Sequence, residues 1–102
     1  MFAIRNNEMR LTRGDTAIFQ IMLDGYKIKE TDEVVFSVKK KITDQEYTLQ
    51  KNMQLGCFIL EAEDTAKLEP GIYDYDIQIT TAENVVYTPV KSKITIMRGV
   101  TE

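Results

Sequence analysis

Ile72-Tyr73-Asp74-Tyr75-Asp76-Ile77-Gln78-Ile79-Thr80 alternates without a break. Tyr73, Tyr75, Ile77 and Ile79 share one face. Asp74, Asp76, Gln78 and Thr80 share the other, with nothing apolar among them. A period of two places successive side chains on opposite sides of a strand, so the stretch reads as a β-strand with one buried and one wet face. Just upstream, Glu69-Pro70-Gly71 is a stop signal, because proline cannot continue a helix and glycine permits a reversal. The residues before it, Asp64 to Leu68, form the one helical pattern, with Asp64 expected to cap its start. A helix this short is unstable alone and reads as a crossing between two sheets.

The same period extends outward in both directions. Ala82-Glu83-Asn84 turns the chain and Val85 to Thr88 returns it as a hairpin. Pro89 lacks an amide donor and suits an edge or a bulge. Ser92, Ile94 and Ile96 then alternate with Lys93, Thr95 and Met97 in a final strand. Cys57 to Ala62 is a short apolar strand. Tyr47 and Leu49 alternate after a turn at Thr43 to Glu46, and Val34, Phe36 and Val38 alternate with Val35, Ser37 and Lys39. Thr16 to Leu23 carries Ala17, Phe19, Ile21 and Leu23 on one face and Ile18, Gln20 and Met22 on the other. Asp24-Gly25 is a hairpin pair, and Tyr26 and Ile28 are expected to form a short return. Near the start, Phe2 and Ile4 precede an Asn6-Asn7 turn, and Met9 and Leu11 follow it. The expectation is one all-β domain over residues 1–102, an immunoglobulin-like two-sheet antiparallel sandwich of about seven to nine short strands with a helical turn near 64–68. A small barrel is the competing architecture.

Composition narrows the function classes. Of the 102 residues, 43% are apolar and 28% charged, an ordinary globular balance that argues against disorder. A net charge of -3 gives no footprint for nucleic acid, and the one dense basic run, Lys39-Lys40-Lys41, reads as a solvated strand end. Cys57 is the only cysteine, so no internal disulfide forms; it reads as a small buried hydrophobe. The chain has no histidine, which removes the usual base for serine or cysteine chemistry and the usual mixed zinc sites. No apolar run is long enough to span a bilayer, and the Met1 end has no secretory pattern. The expectation is a complete, soluble chain made in a cytoplasm, with no enzymatic activity, cofactor, metal, membrane, nucleic acid or small-molecule substrate.

Other constellations have plain readings. Arg13-Gly14-Asp15 spells an adhesion tripeptide but sits between two strands as a tight turn. Asp74 and Asp76 lie about 7 Å apart on one strand face. With Glu83 they make a solvated acidic row rather than a calcium cage, which needs six to eight converging oxygens. Glu61, Glu63 and Asp64 read as loop and helix-start positions. Tyr73 and Tyr75 are in phase with Ile77 and Ile79 and belong to the core, one of them donating its hydroxyl to a backbone carbonyl. The alternative is that, with Tyr87, they make an aromatic platform for sugars or single-stranded nucleic acid. Ile18, Met22 and Val35 are the oddity, being apolar on faces that should be wet. Either they form an exposed assembly patch or an edge loop or the N-terminal strand covers them.

Two segments carry a resemblance. One is Met9-Arg10-Leu11-Thr12-Arg13-Gly14-Asp15-Thr16-Ala17 with the following alternation and Asp24-Gly25. The other is Glu63-Asp64-Thr65-Ala66-Lys67-Leu68-Glu69-Pro70-Gly71-Ile72-Tyr73-Asp74-Tyr75-Asp76-Ile77-Gln78. Together they resemble small proteins encoded among the structural genes of tailed bacteriophages and prophages of Gram-positive bacteria. Some of these are similar to the N-terminal β-sandwich of baseplate upper proteins. The second segment also resembles the corner of immunoglobulin and fibronectin type III domains, where a connection meets a tyrosine-bearing strand. The resemblance implies a virion structural role in a tail, baseplate or head surface. It also implies protein–protein contacts with other virion proteins, self-association and location in the virion. The expectation is a chain without the receptor-binding or collagen-like extension of full-length baseplate proteins, and so without direct host recognition. A carbohydrate or cell-surface binding module is the alternative.

Overall fold

In the computed structural model, residues 2–5, 7–23, 25–41, 43–54 and 56–99 are described. The elements are β1 (Phe2–Arg5), β2 (Glu8–Thr12), β3 (Ala17–Phe19), β4 (Glu33–Lys39), β5 (Leu49–Asn52), β6 (Phe58–Leu60), α1 (Ala62–Ala66), β7 (Gly71–Thr80) and β8 (Val86–Met97). One sheet runs β1-β2-β8-β7-β4-β5, and β3 pairs with β6 in a second. Among the described residues the chain is therefore all-β apart from one five-residue helix, as its alternation predicts.

The two sheets meet where their apolar faces oppose. Tyr73, Tyr75, Ile77 and Ile79 of β7 are buried, with Val34, Phe36 and Val38 of β4 on one side. On the other side are Ile94 and Ile96 of β8 and Met9 and Leu11 of β2. The small sheet supplies Ala17, Phe19, Phe58 and Leu60. Rings join the layers. Phe19 stacks on Phe58 at 5.2 Å between centroids and meets Phe36 edge-on at 5.3 Å. Phe36 lies 5.9 Å from Phe58 and 5.4 Å from Tyr75. Such pairs add about 0.5–1.5 kcal/mol each beyond the area they bury.

Four expectations need correction. The pairing is not wholly antiparallel, because β2 runs parallel to β8 with Met9 opposite Ile94 and Leu11 opposite Ile96. These strands lie near opposite ends of the sequence, so no tight turn fixes their relative direction. The parallel register sets all four apolar side chains on the core side. Second, the Thr16–Leu23 strand shrinks to Ala17–Phe19. Its partner β6 has only three residues between the Gln54–Cys57 bridge and α1, so the ladder has nothing further to pair with. Beyond it, Leu23 and Tyr26 make a single bridge about Gly25, at φ 76°, and no return strand forms. Asp24 and Asn6 lie outside the described residues.

Third, the final hairpin and last strand are one element. Ile77 pairs with Val90 and Ile79 with Tyr87, so Gln78 alone faces Thr88 and Pro89. That extra residue is a bulge, and it accommodates the proline within a strand. Fourth, α1 begins two residues earlier than predicted. Glu61 is its N-cap and Asp64 its third residue, where the Asp64 carboxylate accepts the Glu61 amide at 2.9 Å.

The crossover through α1 is held by polar groups. Thr65 is fully buried; its hydroxyl donates to the Asp15 carbonyl at 2.7 Å and accepts the Gly14 amide at 3.0 Å. Tyr73 donates to the Glu69 carbonyl at 2.7 Å, four residues upstream, and Tyr75 donates to the Asn7 carbonyl. Both tyrosine hydroxyls are thus satisfied by backbone while their rings fill the core. Lys51 of β5 reaches Asp64 at 2.7 Å. Burial pushes the Asp64 carboxyl up, but the Lys51 ammonium, the Glu61 amide and the Lys67 charge together hold it below the ordinary carboxylate value of 3.8.

Two outcomes follow from these contacts. Phe36→Ala removes the ring that touches three others and should cost about 3–5 kcal/mol in urea unfolding. Asp64 has a depressed folded pKa, so its stabilisation is present above the unfolded value of about 3.9 and lost as pH falls through the folded one. Asp64→Asn should therefore be less stable than the parent at pH 7, with the gap closing below about pH 4. Urea midpoints across pH read that convergence directly.

Candidate interaction surfaces

The adhesion tripeptide is structural. Gly14 has φ 87°, in a turn closed by the Asp15 amide on the Thr12 carbonyl at 3.1 Å. Arg13 donates through Nε to the Ala66 carbonyl at 2.9 Å, at the end of α1, and the Thr65 hydroxyl grips the other two residues. The turn is thereby fastened to the helix rather than presented to a receptor.

Reactive groups do not converge. Among the described residues, no three His, Cys, Asp or Glu side chains gather as a metal site. Asp74 of the acidic row is paired with Lys93. Cys57 is half-exposed rather than buried, because it closes the Gln54–Cys57 turn at the edge of the core; its thiol donates to the Gln54 carbonyl at 3.5 Å. Among the described residues, no helix is long and apolar enough to cross a membrane.

The tyrosines divide as the phase of β7 predicts. Tyr73 and Tyr75 are buried, and burial pushes the Tyr75 phenol up to about 12. Tyr87 is exposed, with its ring 6.2 Å from that of Tyr26. The Tyr26 hydroxyl donates to Asp32 at 2.6 Å, and that bond raises the phenol to about 12. Asp32 is in turn lowered, first by the Lys29 amide and then by Tyr26.

The three apolar oddities do not make one surface. Ile18 is 63% exposed and Met22 96% exposed. Ile18 sits opposite Ile59 on the outer face of the β3–β6 sheet, since Ala17 and Phe19 face inward. Val35 is half-buried on the outer face of the larger sheet, between the inward-facing Val34 and Phe36. Two layers separate it from Ile18, so Val35 leaves the patch. The alternation does predict that all three face away from the core; it carries no information on which sheet each strand joins.

Two surfaces escape the sequence reading. One is an apolar groove of about 270 Å³ between Leu23, Tyr26, Ile79, Tyr87, Thr88 and Pro89, with Val85 and Val86 exposed beside it. It forms where the β8 bulge meets the Leu23–Tyr26 bridge, a juxtaposition that local pattern does not encode. The other is a polar groove of about 320 Å³ on the outer face of the larger sheet. Ser37 and Lys39 of β4, Asp74 and Asp76 of β7 and Lys91 and Lys93 of β8 line it, with exposed Tyr47 as a wall. The Lys39 ammonium stands 4.8 Å from the Tyr47 ring centroid. Gln50 donates to the Ser37 hydroxyl at 3.1 Å on the same face.

No known family model matches this chain, and no curated protein matches it.

If the turn at Arg13-Gly14-Asp15 is a structural clamp, Thr65→Ser should be the milder change in thermal stability, because it keeps the hydroxyl that donates to the Asp15 backbone carbonyl and accepts the Gly14 amide. Thr65→Val should cost about 1–3 kcal/mol by stranding that carbonyl and the Gly14 amide. Paired thermal melts of the two variants check this ordering.

Proposed function

We propose that the chain is a non-enzymatic structural protein of a phage or prophage virion, an immunoglobulin-like module used in tail, baseplate or head-surface assembly. The order β8-β7-β4-β5 matches the G-F-C-C′ order of variable-type immunoglobulin domains, and β3 with β6 matches a B–E pair. The Tyr73 bond to the Glu69 carbonyl resembles the tyrosine corner of that fold. Tyr75 follows by two residues, where such domains carry their second cysteine, and its contact with Phe36 supplies cohesion without a disulfide. The resemblance of the two quoted segments to phage structural proteins supplies the biological setting.

The observation that carries the assembly role is the exposure of Ile18 and Met22 on the outside of a domain whose buried side-chain polar atoms are all satisfied among the described residues. Contiguous exposed apolar patches mark protein contacts, and Ile18 stands beside Ile59 on the same outer face. Partner virion proteins, or further copies of the chain, fit that role.

Ile18→Lys and Met22→Lys should abolish association with the co-encoded tail and head proteins while the melting temperature stays within a few degrees, as for other exposed substitutions. Size-exclusion chromatography with light scattering, on mixtures of purified proteins, reads this. A wild-type chain that binds none of those proteins and remains monomeric overturns the reading. The alternative, a carbohydrate or cell-surface binding module, draws on exposed Tyr47 at the polar groove; a glycan array in which Tyr47→Ala loses signal would favour it instead.

A further inference from the structure

The outer face of the larger sheet carries charges in a definite order. Lys39 pairs in register with Asp74, and Asp74 with Lys93. Met9 pairs with Ile94 in parallel register, so Glu8 lies beside Lys93. All four side chains point outward, because Met9, Val38, Tyr75 and Ile94 next to them point into the core. Across β2, β8, β7 and β4 the row therefore reads Glu8, Lys93, Asp74, Lys39, or minus, plus, minus, plus. Its length is roughly 14 Å at the usual strand spacing. One step along the strands, Lys91 of β8 and Asp76 of β7 repeat the central plus and minus.

This order is antisymmetric about the line between β7 and β8. We propose that a second copy of this chain docks on that face, related by a two-fold axis parallel to the strands and lying between β7 and β8. Such a rotation sets Glu8 opposite Lys39 of the second copy and Lys93 opposite its Asp74. Lys91 falls opposite its Asp76. Each of these six charges meets its opposite, which is the self-complementarity that an isologous contact requires. A row of one sign, or a symmetric order such as plus, minus, minus, plus, would meet like charge under the same rotation.

The second row has most to gain. Asp74 and Lys93 already pair within the chain, but Asp76 and Lys91 are register neighbours that form no ion pair within the monomer. In the pair each acquires a partner across the axis. Ile72, 66% exposed on this face opposite Thr95, gives an apolar contact beyond the charges. The pair should be salt-sensitive, since partly exposed charges are screened over about 8 Å at physiological ionic strength.

The inference deepens the assembly reading and is tested apart from it, because neither Ile18 nor Met22 lies on this face. Lys91→Glu sets two glutamates against two Asp76 carboxylates, and Asp76→Lys sets two lysines against two Lys91. Each variant alone should dimerise at least about tenfold more weakly than the parent in sedimentation equilibrium at low salt. An equimolar mixture of the two should recover association as a heterodimer, because each repulsive contact becomes attractive. Recovery also demonstrates that both variants are folded. The proposal is overturned by a wild-type chain that stays monomeric at millimolar concentration. It is equally overturned by variants that dimerise like the parent, or by a mixture that fails to associate.

Discussion

Four rings hold the two layers together. Phe19 and Phe58 come from the small sheet, Phe36 and Tyr75 from the large one, and each touches at least one ring from the other strands. The only cysteine is half-exposed at a turn, so no covalent bridge crosses the core. Packing must do all of that work, and large side chains bury the most area per residue. The small sheet depends on this contact most, since three residue pairs of ladder would not persist alone. Its backbone is kept in place by what its side chains touch.

The second constraint is the path between the sheets. After β6 the chain must cross and enter β7 in register, and α1 makes that crossing in five residues. Propensity cannot hold so short a helix. Thr65 instead fixes it from below through the turn after β2, Arg13 holds its end, and Lys51 ties its start to β5. Tyr73 then closes the corner on Glu69. Every one of these bonds joins residues near in space at a place where the backbone leaves a sheet. They explain how a chain with little helix can make a sharp passage without leaving buried polar groups unmet.

Much of the inside was legible from period alone. In β7 the alternation is clean, and every residue assigned inward is buried. The same holds for Val34, Phe36 and Val38, for Met9 and Leu11, and for Ile94 and Ile96. What period two does not report is pairing. It gave no hint that β2 would run parallel to β8. Nor could it show that the strand beginning at Ala17 would end at Phe19 for want of a partner. It likewise assigned Ile18 and Val35 to outer faces without saying that the faces belong to different sheets. Tyr47 and the groove beside Pro89 were missed because both arise where segments distant in sequence converge.

The two outer faces now have different characters, and the difference bears on how such a domain associates. The apolar groove near Tyr87 lies beside a strand edge, yet Pro89 and its bulge interrupt that edge and oppose the addition of another strand. The larger sheet's outer face carries alternating charge in cross-strand rows. Alternation serves the monomer first, because Asp74 stands between Lys39 and Lys93 and like charges are kept from adjacent strands in that row. The same arrangement constrains contact with a second copy. A face that neutralises itself row by row repels neither sign strongly, and only the register of its charges distinguishes one partner from another. Specificity on such a surface comes from order rather than net charge. An acidic chain of modest size can therefore carry one selective face without a basic patch, a cleft or a large apolar surface.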